Sequence, residues 1–257
     1  MNTQAISDAL LDAESTKKPI DPLTVTYPGL TAEEAYRVQL AGVQAKTRQG
    51  RRIVGKKIGL TSKAMQDLFG VPEPDYGHLF DSMLVPEGQP CRRADLLLPR
   101  VEGEVAFVLK ETLKGPGVTI ADVLRATEGV MPAIEIVDSR IRDWKIKLPD
   151  TVADNASSGL FVLGGRMTPV KEIDLRLVGM YLEKNGQVVN SGAGVAVLGH
   201  PAASVAWLAN KMAEFDISLG AGEVILSGAV TAAVEAAAGD SFHVFFQGLG
   251  SVGVRFV

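Results

Sequence analysis

Apolar positions in residues 2–17 recur with helical spacing, placing Ile6, Leu10 and Ala13 on one face. Lys17-Lys-Pro-Ile-Asp-Pro22 interrupts that pattern, and Thr31-Ala-Glu-Glu34 is a capping box that opens a second helix with Tyr36, Leu40 and Val43 as its stripe. Gly50 closes it. From residue 51 the period shortens to that of strands. Residues 52–60 form a short strand with adjacent lysines, after which Thr61-Ser62 caps a short helix carrying Met65, Leu68 and Phe69. Val71-Pro-Glu-Pro-Asp-Tyr-Gly77 reads as a stiff loop, because two prolines limit it. Beyond residue 175 the chain reads as strands with one helix. The strands cover 175–183, 223–228, 241–247 and 251–257, Asn185-Gly186 is a hairpin turn, and a helix starts at Pro201 and runs through Val205, Leu208 and Met212.

Two strands break their own pattern. In Arg100-Val-Glu-Gly-Glu-Val-Ala-Phe-Val-Leu109, Glu102 and Glu104 leave the same face. In Val130-Met-Pro-Ala-Ile-Glu-Ile-Val-Asp138, Glu135 stands among apolar neighbours. Alternation of this kind fits solvated faces of half-exposed strands. It equally fits a buried cluster, which must be protonated, paired or bound to a metal. Carboxylates without His or Cys suit a hard cation such as Mg²⁺ or Mn²⁺. Lys57 and Asp75 are the other polar positions of interest, against the plain alternatives of a surface lysine and a turn-forming aspartate. Asp150-Thr-Val-Ala-Asp-Asn-Ala-Ser-Ser-Gly159 is small, polar and flanked by strands, as a binding loop or a simple connection is.

Composition narrows the class. The 257 residues are 46% hydrophobic and 22% charged, with a net charge of −4, which argues against a nucleic-acid or anionic-membrane partner. One cysteine, Cys91, in a polar, Arg-flanked turn, excludes a disulfide framework and a cysteine-based zinc site. The first residues lack a signal-peptide pattern, and no apolar run reaches the ~18 residues of a membrane span, so a cytoplasmic protein is expected. The chain carries no Walker A sequence and no G-x-S-x-G elbow; Gly192, Gly194 and Gly199 do not fit a dinucleotide fingerprint, and His200 at Gly-His-Pro caps or packs. Three glutamates on a divalent ion leave about half of an octahedral shell open. A 2-oxo or 2-hydroxy-enoic acid fills it with a carboxylate and a C2 oxygen, with Lys57 to balance charge and Asp75 to move protons.

Several ordered motifs then converge. Gly55-Lys-Lys-Ile-Gly-Leu-Thr-Ser62, Pro74-Asp-Tyr-Gly77, Val101-Glu-Gly-Glu-Val-Ala-Phe107, Pro132-Ala-Ile-Glu-Ile-Val-Asp-Ser-Arg140, Asp150-Thr-Val-Ala-Asp-Asn-Ala-Ser158 and Leu198-Gly-His-Pro201 resemble the hydratase/decarboxylase group of the fumarylacetoacetate hydrolase superfamily. The resemblance runs from about residue 20 to the C-terminus. It implies an α+β fold, a mixed β-roll-like core in residues 51–257 with an N-terminal helical segment in residues 1–50, the whole forming one structural unit. It implies Glu102, Glu104 and Glu135 as ligands of Mg²⁺ or Mn²⁺, Lys57 and Asp75 as catalytic residues, and Leu79, Asn155 and Thr231 at the substrate.

Within the group, Trp144-Lys-Ile-Lys followed by residues 150–159 resembles the enzymes that hydrate 2-hydroxypenta-2,4-dienoate to 4-hydroxy-2-oxopentanoate in meta-cleavage degradation of aromatic compounds. Decarboxylation of 2-oxo-3-hexenedioate is the alternative; Lys63, Arg140 and Arg142 are candidates for its distal carboxylate. A longer-substrate hydratase is also near. The resemblance implies a homo-oligomer and a complex with another enzyme of the pathway. A purely structural partner protein is the remaining reading, and intact Lys57, Asp75 and the three glutamates argue against it.

Overall fold

The computed structural model describes residues 2–63, 66, 67, 71 and 73–257. Met65, Leu68 and Phe69 of the expected short helix lie outside them. Two N-terminal helices, Thr3–Thr16 and Ala32–Arg48, match the apolar stripes, and the Thr31/Glu34 capping box forms. They pack against each other, and the second also packs on the short helix Leu148–Ala153.

The strands are β1 (Ile53–Gly59), β2 (Asp75–Phe80), β3 (Pro90–Cys91), β4 (Arg100–Leu109), β5 (Thr127–Val137), β6 (Ser158–Leu163), β7 (Gly179–Lys184), β8 (Gln187–Ala193), β9 (Val224–Ala229), β10 (Val234–Glu235), β11 (Ser241–Phe246) and β12 (Gly250–Phe256). A seven-stranded curled sheet runs β2-β1-β9-β4-β5-β6, with β10 added to β4. A five-stranded sheet runs β3-β12-β11-β7-β8. All pairs are antiparallel except β1 with β9 and β3 with β12. This is the expected α+β architecture.

The two sheets meet over β4 and β5. Gly103 sets their spacing: a Cβ there lies 2.8 Å from Met180 Cε and 2.9 Å from Val244 Cγ1 of the facing sheet. One face of β4 therefore closes the core through a glycine, while its other face carries Glu102 and Glu104. The helix Pro201–Met212 packs on β9, with His200 Nδ1 accepting from Ala202 N at 3.0 Å as its cap. Asn185 and Gly186 both have positive φ and join β7 to β8, as the hairpin signal requires.

Four local expectations are corrected. Asp75 opens β2 instead of ending a loop, because its ladder with β1 supplies the partners that the prolines withhold upstream. Part of the expected 150–159 loop is the helix Leu148–Ala153, capped through Lys147 N and Asp150 Oδ2. The strand expected from residue 175 starts at Gly179. Cys91 is buried in β3, paired with the C-terminal strand, instead of lying in a polar turn.

Candidate metal centre and cavity

Glu102 and Glu135 face each other in the β4–β5 register, and Glu104 lies one alternation further along β4. The pleat thus turns three carboxylates onto one face at the middle of the sheet. One oxygen from each lies within 4.8 Å of the other two. Glu104 and Glu135 are buried, and Glu102 is the partly exposed member. A register shift between β4 and β9 beside Glu104 lets Gly228 N donate to Glu104 Oε2 at 2.6 Å. Glu104 Oε1 and Glu135 Oε2 accept no hydrogen bond from the described residues.

Burial, then Glu135, pushes the Glu102 carboxyl up to about 7, against the pull of Lys57. Burial, then Glu135 and Glu102, raises Glu104 well above the ordinary carboxylate range. Buried, crowded and short of donors, these oxygens are a poor arrangement for the empty protein and a good one for a hard cation. The residues fit a divalent ion.

Lys57 is on β1, 3.1 Å from Glu135 Oε1. Burial lowers its pKa, but Glu135, Asp75, Glu102 and Glu104 together outweigh burial and hold it above the ordinary lysine value. It is a fixed cation, and the surface alternative is excluded by its 3% exposure. The adjacent Lys56 points to the other face, 2.5 Å from Glu223. Asp75 pairs across strands with Gly59, where a Cβ lies 2.2 Å from Asp75 Oδ1, so only glycine leaves the carboxylate its place. Burial raises the Asp75 pKa, and Lys57 and the Thr151 hydroxyl, 3.3 Å from Oδ2, oppose that rise. Thr151 Oγ1 is also 3.2 Å from Ser157 Oγ.

These groups open into a cavity of about 420 Å³. Lys57, Asp75, Glu102, Thr151, Ser157 and Thr231 contribute polar wall, and Val137, Ile146 and Val230 apolar wall. Thr231 Oγ1 is buried and without a partner among the described residues, as a group awaiting a ligand is.

Two expected substrate residues lie elsewhere. Leu79 packs in a core cluster with Val43, Phe80 and Met83, because both faces of β2 are covered. Asn155 brackets β2, accepting from His78 N at 2.8 Å and donating to His78 O at 2.9 Å; its neighbours Ala156 and Ser157 reach the cavity instead. None of the three basic candidates lines the cavity. Lys63 is exposed and paired with Asp67, and Arg142 is half exposed and paired with Asp21. Arg140 is buried and bonded to Asp154. The sequence reading missed Arg100 and Trp144, which do line it. Arg100 was legible in principle, since it shares the alternation of Glu102 and Glu104.

A curled sheet carrying three convergent glutamates beside a buried lysine–aspartate pair defines a candidate carboxylate metal centre on a β-roll. The model of the fumarylacetoacetate (FAA) hydrolase C-terminal family matches residues 58–257, and the chain belongs to that family. It is 50% identical over 249 residues to 2-hydroxyhexa-2,4-dienoate hydratase of Comamonas testosteroni, covering 96% of this chain and 94% of that one. It is 49% identical over 214 residues to 2-hydroxypent-2,4-dienoate hydratase of Pseudomonas putida, covering 83% and 96%. Its fold superposes with a TM-score of 0.97 on 4-oxalocrotonate decarboxylase from Pseudomonas putida G7 complexed with magnesium and adipate, at 44% identity over 99% of this chain and 97% of that one.

Proposed function

We propose that the chain is a hydro-lyase that adds water to 2-hydroxypenta-2,4-dienoate, giving 4-hydroxy-2-oxopentanoate, with Mg²⁺ or Mn²⁺ held by Glu102, Glu104 and Glu135. The observation that carries this reading is the cluster of three glutamates in contact with Lys57, its member Glu102 lining one cavity together with Lys57 and Asp75. Hydratase relatives at 49–50% identity support the substrate class. When bound, the cation supplies Lewis acidity to the carboxylate and C2 oxygen of a 2-oxo acid.

The protein's own groups do the rest. Lys57 adds a positive charge beside the same oxygens and offsets the excess of carboxylates, so an anionic substrate can enter. Asp75 gives protons to carbon, first at C5 and later at C3, and takes them from the 2-hydroxyl of the dienol and then from the water that adds at C4. Burial raises its pKa above the ordinary aspartate value, which favours its acid form more than in a solvated aspartate. Thr151 and Ser157 hold the water that adds at C4 next to Asp75. Thr231 Oγ1 supplies a hydrogen bond to the bound acid.

Decarboxylation of 2-oxo-3-hexenedioate is the second reading, supported by likeness to the decarboxylase. The same proposal takes the protein as a cytoplasmic homo-oligomer of aromatic catabolism, associating with another pathway enzyme. Among the described residues no helix is long and apolar enough to cross a membrane. Freshly generated 2-hydroxypenta-2,4-dienoate and 2-oxo-3-hexenedioate, each assayed with Mg²⁺, Mn²⁺ and chelator, test it. Metal-dependent hydration of the five-carbon dienol is expected. CO₂ release from the six-carbon diacid alone transfers the protein to the second reading, and no turnover of either overturns both.

A further inference from the structure

Besides Lys57, the cavity holds one cation among the described residues, Arg100. It begins β4 and shares the face of Glu102 and Glu104. Two residues along a strand is about 7 Å, so Arg100 stands one step beyond the metal centre. The Arg100 side chain is 34% exposed, against 4% for Lys57. Glu235, its carboxylate neighbour at 3.4 Å, is 83% exposed, whereas Lys57 at the other end is buried.

Arg100 is held as a receptor is held. Its guanidinium lies over the Trp144 ring, 4.8 Å from the centroid. Trp144 is fixed by donating Nε1–H to Leu98 O at 2.9 Å, and it adopts a φ of +55°, a conformation an aromatic residue seldom takes. Arg100 Nε is buried and has no hydrogen-bond partner among the described residues. Its contact with Glu235 is long and solvated, so it competes weakly for the guanidinium. A fixed cation with a buried, unused N–H, one strand step from the metal centre, is placed for a second anion.

We infer that Arg100, cushioned on Trp144, binds a distal carboxylate, so that the site takes 2-oxo diacids of about six carbons as well as the monoacids of the proposed reaction. An extended six-carbon diacid spans about 6–7 Å between its end carbons at ~1.3 Å per bond, which matches the single strand step from Glu102 to Arg100. The inference rests on the proposed reading, in that the 2-oxo end is taken to sit at the glutamates.

The test uses binding, not turnover. The Mg²⁺-loaded protein is titrated calorimetrically with 2-oxoadipate and with 2-oxohexanoate, six-carbon 2-oxo acids that differ only in the distal carboxylate. The wild type is expected to bind 2-oxoadipate at least tenfold more tightly. Arg100→Gln is expected to reduce that ratio to about one, with 2-oxohexanoate affinity and Mg²⁺ affinity within twofold of wild type. Equal affinities in the wild type overturn the inference, as does a ratio that survives in Arg100→Gln. A variant that loses Mg²⁺ overturns it too, since Arg100 then serves only to neutralise Glu102. Arg100→Lys, which keeps the charge without the fork, is the second variant, and a ratio between those of the other two proteins is expected. Failure of the hydratase reading shows separately, as absent turnover of the dienol with the binding ratio intact.

Discussion

Glu104→Gln separates what the carboxylate costs the empty protein from what it gives the metal-loaded one. Burial, then Glu135 and Glu102, raises Glu104 well above its ordinary value of 4.5, so the folded apo protein holds this proton to a higher pH than the unfolded chain does. Folding must then take up a proton that the unfolded chain does not hold. That costs about 1.4 kcal/mol for each pH unit between 4.5 and the folded value. Glutamine is neutral and keeps an oxygen for the Gly228 N–H, so it removes the cost without orphaning the donor. The raised pKa sets the sign. The penalty is absent below pH 4.5 and grows as pH rises toward the folded value. In chelator at pH 7 the variant is therefore expected to be more stable than the wild type, by an amount that grows about 1.4 kcal/mol per pH unit from 4.5 up to the folded value. The gain should vanish near pH 4.5. With Mg²⁺ at a hundred times its Kd the wild type gains about 2.7 kcal/mol, and the variant gains nothing. Thermal and urea denaturation, with chelator and with Mg²⁺, read all four states. A variant less stable than wild type in chelator at pH 7, or one that Mg²⁺ stabilises equally, refutes the reasoning.

Three further outcomes are expected. Lys57→Met should lower kcat at least a hundredfold while calorimetry still finds Mg²⁺ bound, because the lysine balances charge without ligating; unchanged turnover removes it from the chemistry. Mg²⁺ affinity should rise with pH through about 7, where Glu102 loses its proton, and binding should release protons, seen as a dependence of the calorimetric heat on buffer ionisation enthalpy. A flat affinity from pH 6 to 8 contradicts this. Asp154→Ala leaves Arg140 buried and unpaired, and should cost about 3–5 kcal/mol in urea denaturation; a loss below 1 kcal/mol means that water or another group replaces the aspartate.

The parts of the site that local pattern encodes were legible in the sequence. Glu102 and Glu104 share a strand face by alternation alone, whereas the pairing of Glu102 with Glu135 is set by the β4–β5 register, which the structure supplies. The Thr31 capping box, the Asn185-Gly186 turn and the His200 cap depend on adjacent residues and formed as expected. What failed depends on distant partners. Cys91 reads as a polar turn until β12 closes over it, and Leu79 reads as a wall residue until the core cluster covers both faces of β2. Asn155 has pocket chemistry, but His78 uses both ends of its amide. The basic candidates stand out in the sequence by charge alone, and a charge carries no information about its partner. Asp67, Asp154 and Asp21 hold Lys63, Arg140 and Arg142, while Arg100 was left with an unused N–H.

Three strand glutamates are proposed to hold one divalent ion, with Glu102 facing the cavity. Diffraction from crystals grown with Mn²⁺, recorded at the manganese edge, tests this most directly. One anomalous peak within coordination distance of Glu102, Glu104 and Glu135 is predicted. A peak elsewhere, or none at saturating Mn²⁺ with the three glutamates ordered, contradicts the account.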